Sequence, residues 1–220
     1  MMMGHYSAAF VASRAAPGLP LWAAFLAVQL VDIAFAVFVL AGIETVGFDR
    51  SLASNPLVLD WMPYTHSLVG TLAFAALAYA IARRFAPAAG ARAALAAAAA
   101  VVSHWPADVL VHRPDMTIEG GVLLPRLGLA LWDVPAVALA TELGLLLGAA
   151  VYFCSQGGAL APRRGPVLGL AIAMAGFQLA STWLEPPQVT PAQFAVSALA
   201  LFLLLAALAR VVAGSSAERG

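Results

Sequence analysis

The sequence VSHWPADVLVHRPD, residues 102–115, places two histidines and two aspartates at the end of a strongly apolar run. If this stretch is helical, His104, Asp108 and His112 follow one another at four-residue steps, and each step drifts only about 40° around the axis. All three side chains then share one helix face. Imidazole and carboxylate groups together are ligands for zinc and other transition metals. The stretch therefore predicts a helix with a metal-binding face.

Pro106 leaves two interpretations of this helix open. Inside a continuous helix it would kink the span between His104 and Asp108. If Ser103 instead caps a new helical segment, Pro106 lies in the first turn, where its missing N–H does no harm. Both interpretations keep the two side chains near each other.

The composition identifies the class of protein. The chain has 220 residues, of which 63% are hydrophobic and 10% charged, and its mean hydropathy is +0.92. A soluble domain carries about 25% charged residues, and a run of about 20 apolar residues is long enough to cross a bilayer. A net charge of zero gives no basic surface for nucleic acid, so no nucleic-acid partner is expected. The sequence predicts an all-α, polytopic transmembrane helix bundle.

The apolar runs predict about six spans in a single transmembrane domain, residues 1–220. Asp60 and Pro63 predict the start of the second span, as a cap and a first-turn proline. Arg113 before Pro114 predicts the end of the third, because the residue before a proline is pushed out of the helical region. Glu185-Pro186-Pro187 predicts the end of the fifth. The predicted spans are 21–43, 61–84, 91–112, 127–153, 166–184 and 192–212.

The arginines predict the orientation, because cytoplasmic loops carry an excess of positive charge. Six spans put both termini on the same side, and most arginines fall on that side. The chain is therefore expected to be N-in and C-in, in a bacterial inner (plasma) membrane, with residues 113–126 on the extracytoplasmic side. The arginines on the predicted cytoplasmic side are Arg14, Arg83, Arg84, Arg92, Arg163, Arg164, Arg210 and Arg219, against Arg50, Arg113 and Arg126 on the other.

Ionisable groups from other segments are predicted at a similar depth. His66 lies near the outer end of the second span and Asp133 near the outer end of the fourth, while Asp32 lies deeper, near the middle of the first. Ionisable residues inside a membrane are costly and usually mark functional sites. The expected metal ligands are His66, His104, Asp108, His112 and Asp32, and the expected general base is Asp115 or Asp133.

Two other functions stay open at this stage. A small transporter or proton-coupled carrier would use Asp32, Asp133 and Glu142 as relay groups across the membrane. A non-catalytic membrane scaffold would use the same polar side chains only to hold helices together. Asp108 has a second possible role as well, since a carboxylate can fix the tautomer of a ligating histidine.

Two short motifs resemble a known family. Thr65-His66-Ser67-Leu68 matches a Thr-His-Ser-Leu helix start, and Ser103-His104-Trp105-Pro106-Ala107-Asp108 matches a Ser-His-x-x-x-Asp helix. These motifs are typical of the membrane-bound metal-dependent hydrolases, the inner-membrane group that includes LexA-regulated members. That family also has a Leu-Pro-Asp-x-Asp segment. Leu30-Val31-Asp32-Ile33-Ala34 keeps one of its aspartates and lacks the proline and the second aspartate.

The resemblance covers residues 29–135 and implies a function. The family is distantly similar to zinc phospholipase C and P1-type nucleases, in which clustered His and Asp residues bind zinc. It therefore implies a divalent metal, zinc, and hydrolysis of a phosphoester in a lipid or lipid-linked substrate. The expected protein is a membrane-embedded metal-dependent hydrolase whose site faces the outer leaflet.

Overall fold

The structure, a computed structural model, describes residues 1–53, 55–121, 123–157, 161–184 and 188–214. Within these ranges it has nine α-helices, two single-turn 3₁₀ helices and one two-stranded antiparallel hairpin. The predicted all-α bundle is confirmed. The elements are α1 (Tyr6–Ala15), α2 (Leu21–Val28), α3 (Leu30–Leu40), β1 (Thr45–Phe48), β2 (Leu57–Trp61), α4 (Leu68–Phe85), α5 (Gly90–Val102), α6 (His104–Val111), α7 (Pro135–Cys154), α8 (Arg164–Trp183) and α9 (Pro191–Ala213).

The described helices provide five spans that are long and apolar enough to cross a membrane. A sixth is present if α2 and α3 are one span, bent by 51° at Gln29. The last two predicted spans agree with α8 and α9 to within two residues. α9 begins with a capping box, in which Thr190 and Gln193 satisfy each other's backbone N–H groups. Six spans are thus consistent with the prediction, and the membrane orientation stays a prediction.

Parts of the sequence prediction lie outside the described residues. They include the Glu185-Pro186-Pro187 stop after the fifth span and Arg219 of the orientation count. The side chain of Asp60, predicted to cap the second span, is also outside the described part of the chain.

The predicted start of the second span is wrong. Residues 45–48 and 57–61 pair as an antiparallel hairpin, and α4 begins only at Leu68. Its cap is Ser67, whose side chain accepts a hydrogen bond from the Gly70 N–H at 3.0 Å. His66 therefore lies in the turn just before α4 and not, as predicted, within the second span.

The predicted start of the fourth span is wrong as well. Leu127 forms an isolated antiparallel bridge with Met116, with backbone hydrogen bonds in both directions. α7 begins at Pro135, because proline fits the first helical position, where no N–H is needed. The connection between α6 and α7 is consequently longer than the predicted loop, residues 113–126.

The third span agrees with the second interpretation of Pro106 in one respect, because Pro106 lies in the first turn of a helix, but the predicted cap by Ser103 is wrong. α5 ends at Val102, a new helix begins at His104, and Pro106 lies in its first turn. Ser103 marks the break without capping it, since its hydroxyl donates to the Ala100 carbonyl at 2.7 Å. The backbone of Ser103 stays in the helical region, and Pro87–Val111 forms one candidate membrane span.

A short helix that the sequence analysis did not predict, α1, lies inside the bundle against α2, α5 and α7. Tyr6 and Phe10 are fully buried and contact the Phe25 ring, with centroids 4.6 and 5.4 Å apart. At ten residues α1 is about 15 Å long, roughly half of the hydrocarbon thickness. Its first turn points toward α6, and Arg14 at its other end donates to the Ser155 hydroxyl beyond α7. Residues before the first span thus belong to the core.

Candidate metal centre

Asp108 is the hub of a buried cluster that contains all four histidines of the chain. Its Oδ1 atom lies 3.0 Å from His5 Nε2 and 3.5 Å from His112 Nε2. Its Oδ2 atom lies 3.0 Å from His104 Nε2 and 3.8 Å from His66 Nε2. The predicted i, i+4 relation of Asp108 to the two histidines of its own segment is what brings them together.

Asp32 joins the cluster from the bent first span. The bend at Gln29 starts α3 and places Asp32 in its first turn. Asp32 Oδ1 lies 3.3 Å from His66 Nε2 and 3.4 Å from His104 Nε2. Its side chain is 21% exposed, whereas that of Asp108 is 1% exposed. Asp32 is therefore the more accessible of the two central carboxylates.

A buried carboxylate behind His66 sets the orientation of its ring. Glu44 accepts hydrogen bonds from the backbone N–H groups of Tyr64 and Thr65 and from the Thr65 hydroxyl, at 2.8, 3.0 and 2.6 Å. Because the Thr65 hydroxyl donates to Glu44, its oxygen accepts from His66 Nδ1 at 2.8 Å. His66 Nε2 is then left with its lone pair toward Asp32 and Asp108.

The rings of His104 and His112 are held in the same way. His104 Nδ1 donates to the Val28 carbonyl at 2.9 Å, and His112 Nδ1 donates to Asp115 at 2.9 Å. When neutral, each ring therefore presents the lone pair of Nε2 to the central carboxylates. Metal-binding histidines characteristically donate their other N–H to a carboxylate or a backbone carbonyl. His104 and His112 have this arrangement, and His66 has a hydroxyl acceptor in the corresponding place.

The donor separations fit a metal ion. Bonds of about 2.0–2.2 Å in tetrahedral geometry place two donors about 3.3–3.6 Å apart. The four separations that link Asp32 Oδ1 and Asp108 Oδ2 to the Nε2 atoms of His66 and His104 are 3.0–3.8 Å. The groups Asp32–His66–His104 and His5–His104–Asp108 each have their donor atoms within 4.8 Å of one another. The structure thus has buried His/Asp groups that could hold a metal ion.

Unpaired polar atoms point to the same conclusion. His104 Nε2 and Asp108 Oδ2 are buried and have no hydrogen-bond partner in the described part of the chain, although they are 3.0 Å apart. With Nδ1 protonated toward Val28, a neutral His104 presents an acceptor to another acceptor. Two buried acceptors facing each other are unfavourable, and a cation between them would satisfy both.

Two histidines outside the spans differ in their affinity for protons. Burial lowers the pKa of His112, which lies one residue beyond α6, but the carboxylates of Asp108 and Asp115 raise it by more, so the net pKa is above the usual value. Burial and the neighbouring His104 lower the pKa of His5 to about 3. A metal ion therefore competes with a proton at His112 and meets a neutral ring at His5.

His5 is the ligand candidate that the sequence analysis missed. Its ring stacks on His104, with centroids 3.8 Å apart and planes 7° from parallel. Glu142 Oε2 accepts the N–H groups of Met2 and Gly4 at 2.9 and 3.2 Å, which fixes the segment before α1. The neighbouring Gln178 accepts the Met3 N–H at 3.2 Å, and the Met1 amino group contacts Asp108. The available signal was that three of only four histidines already lay in the predicted cluster.

The two predicted general bases lie in different places. The Asp115 carboxylate contacts His112 Nδ1, on the opposite side of the ring from Asp108, so it reaches the cluster through His112. Asp133 is not brought to the cluster: its carboxylate pairs with Arg113 at 2.7 Å and is 49% exposed. Asp133 is therefore better described as the partner of Arg113 than as a member of the centre.

A cavity of about 770 Å³ opens onto the candidate metal centre. The name refers to the cluster formed by His5, Asp32, His66, His104, Asp108 and His112. It lies between α3, α7, α8 and α9 and extends under the β1–β2 hairpin. Most of its wall is apolar. The members of the centre that line it are Asp32, His66, Asp108 and His112.

Comparisons with protein family models, curated proteins and solved structures find no match to this chain. The family resemblance of the short motifs therefore stays a prediction. The geometry adds one fact to it: the two motifs, which begin at Thr65 and Ser103, meet in space, with His66 Nε2 3.8 Å from Asp108 Oδ2.

Proposed function

We propose that this protein is a membrane-embedded metal-dependent hydrolase that acts on a phosphoester or other ester of lipid type. One observation carries the proposal. The Nε2 atoms of His66 and His104 converge with Asp32 and Asp108, while a separate acceptor fixes Nδ1 of each ring. This donor set suits a zinc-type divalent ion.

The residues of the centre have distinct roles in this proposal. Asp32, Asp108, His66 and His104 hold the ion, and Thr65 and the Val28 carbonyl orient the two rings. When bound, the ion supplies activation of water and polarisation of the ester. The chain supplies ligands that are already oriented and a cavity that brings the substrate beside them.

His112 is the candidate for proton transfer. Its ring lines the cavity and is held at Nδ1 by Asp115. An imidazole within reach of the reacting groups can act as a general acid or base. Asp115, first expected to be the base itself, becomes a positioning residue that acts through His112.

The two other functions receive less support. Glu142, a relay group of the transporter hypothesis, accepts two backbone N–H groups and holds the segment before α1. A scaffold network would pair its buried polar atoms, whereas His104 Nε2 and Asp108 Oδ2 have no hydrogen-bond partner among the described residues.

The test is to purify the protein, measure bound metal by mass spectrometry, and follow hydrolysis of a chromogenic phosphodiester. We expect stoichiometric metal, activity that chelation removes and zinc restores, and loss of both in the His104→Ala, Asp108→Ala double variant. The matched control is Asp133→Asn, which removes a carboxylate outside the centre. The proposal fails if the purified protein lacks stoichiometric metal and the double variant changes neither metal content nor stability.

A further inference from the structure

The cavity beside the centre is divided between a polar part and a larger apolar part. Its volume of about 770 Å³ lies within the roughly 300–1,000 Å³ of pockets that take a drug-sized ligand. Asp32, His66, Asp108 and His112 form the polar part together with Arg50 and Asn55 of the hairpin. A ligand that fills both parts must itself be amphiphilic.

The apolar part runs along the membrane-spanning helices. On α9 the lining residues are Phe194, Ser197, Ala198, Leu201 and Phe202, a stripe with helical spacing that is apolar except for Ser197. From residue 194 to residue 202 the stripe covers about 12 Å along the axis. The cavity is therefore elongated in the direction of the helices.

Facing residues close the elongated part. Leu139 of α7, Phe177 of α8 and Phe35 of α3 line it from the other sides. Several polar side chains also line this part, but most are already engaged within the protein. Glu142 and Gln178 accept backbone N–H groups of residues 2–4, and the hydroxyls of Ser181 and Thr182 donate to the Gln178 carbonyl. Few groups are therefore left for the many hydrogen bonds of a sugar or nucleotide. A hydrocarbon chain can pack against this wall without burying a polar group of its own that lacks a partner.

We propose that the cavity binds the hydrocarbon chain of a single-chain amphiphile, whose ester or phosphoester group lies at Asp32 and whose chain lies along the α9 stripe. This inference rests on the proposed function and names the substrate class of the same site. The exposed edge of Asp32 faces the cavity, whereas His104 is buried behind it. The substrate thus approaches the centre from the cavity side, and Arg50 adds a cation that favours an anionic head group.

A bulky side chain in the stripe should separate chain binding from chemistry. Ala198→Phe places a ring in the apolar part, whereas Ala200→Phe, two residues along α9, places the same ring on the exposed face. The probes are p-nitrophenyl methyl phosphate and p-nitrophenyl hexadecyl phosphate, which differ only in the chain. We expect Ala198→Phe to lower kcat/KM for the hexadecyl ester at least about tenfold, because overpacking excludes the chain, and to leave the methyl ester and metal content unchanged.

Equal losses on the two esters, or no loss on either, would overturn the proposal. Ala200→Phe should behave as the unsubstituted protein on both. If Ala198→Phe does not fold, Ala198→Leu provides the smaller obstruction and the same comparison.

A second measurement keeps this inference distinguishable from the proposed function. Hexadecylphosphonate with a diazirine at the chain end cannot be hydrolysed, and its crosslinks can be mapped by mass spectrometry. Crosslinks at Phe177, Leu201 or Phe202 that excess hexadecylphosphonate suppresses and Ala198→Phe removes support the chain site, even if no hydrolysis is found. Hydrolysis of the methyl ester together with crosslinks only on lipid-facing residues would contradict the chain site and leave the hydrolase.

Discussion

Two regions of the molecule supply the histidines of the centre, and they orient the rings by different means. In the region formed by α6 and the turn before α4, His66, His104 and His112 each have an acceptor at Nδ1. In the segment before α1, His5 contacts Asp108, but its buried Nδ1 has no hydrogen-bond partner within the described ranges. Its position depends on backbone hydrogen bonds to Glu142 and on stacking against His104. Direct orientation of a ligand is expected to contribute more to metal affinity than indirect placement.

The largest effect should come from the residue that both regions share. Asp108→Asn removes the charge that all four histidines contact, so we expect metal affinity to fall more than about 100-fold, beyond the 10–100-fold typical of outer partners. Metal content after dialysis measures it, with Asp133→Asn as the control. Full metal content in Asp108→Asn would contradict the central role of this carboxylate.

The next effect concerns orientation in the first region. Thr65→Val keeps the shape but removes the hydroxyl that links His66 to Glu44, so metal affinity should fall about tenfold or more. Thr65→Ser keeps the hydroxyl and is the matched control. Competition with a fluorescent chelator measures both. If valine and serine give the same affinity, orientation of His66 is not set by this hydrogen bond.

The pH dependence should distinguish the two regions. Burial lowers the pKa of His112, but Asp108 and Asp115 raise it by more, so its ring stays protonated above the ordinary pKa, and this positive charge beside Asp108 opposes the binding of a metal ion. Metal affinity should therefore increase as pH rises above about 6.5, by at most about tenfold per unit for one proton. Titrations between pH 6 and 8 measure the slope. We expect His112→Ala to flatten this slope and His5→Ala to leave it unchanged. The reverse result would place the proton on His5 and contradict its assignment to His112.

The smallest effect is expected in the second region. His5→Ala removes a ring whose Nδ1 has no acceptor among the described residues to orient it. We therefore expect metal affinity to fall less than about tenfold, which is below the 10–100-fold loss typical when a partner that orients a ligand is removed. The same chelator competition measures it, with Thr65→Val as the reference. A loss as large as that of Asp108→Asn would remove the distinction between direct and indirect placement.

The long spans were predictable because the membrane leaves little choice. In hydrocarbon every backbone polar group must be satisfied within the segment, so an apolar run of sufficient length forms a helix. α8 and α9 therefore agree with prediction to within two residues. The His104–Asp108 pair was predictable for a related reason, since helical spacing fixes which side chains share a face.

The irregular parts depended on contacts that local sequence does not encode. Outside the hydrocarbon, water can satisfy the backbone, so the segment before α4 was free to form a hairpin that the predicted helix start excluded. α1 is too short for a span, and only packing against α2, α5 and α7 buries it. His5 lies 103 residues from Asp108 in sequence, and no spacing rule connects them.

The bend between α2 and α3 makes one part of the centre insensitive to side-chain replacement. In a straight helix the Val28 carbonyl would pair with the N–H of Asp32, four residues later. The bend instead leaves this oxygen for His104 Nδ1. No substitution at position 28 can delete a main-chain oxygen, so conventional mutagenesis cannot separate His104 from its acceptor. Changes in helix geometry at Gln29 would instead move this carbonyl and the imidazole it orients, so the affinity for a metal bound at the centre would depend on the curvature of the first span.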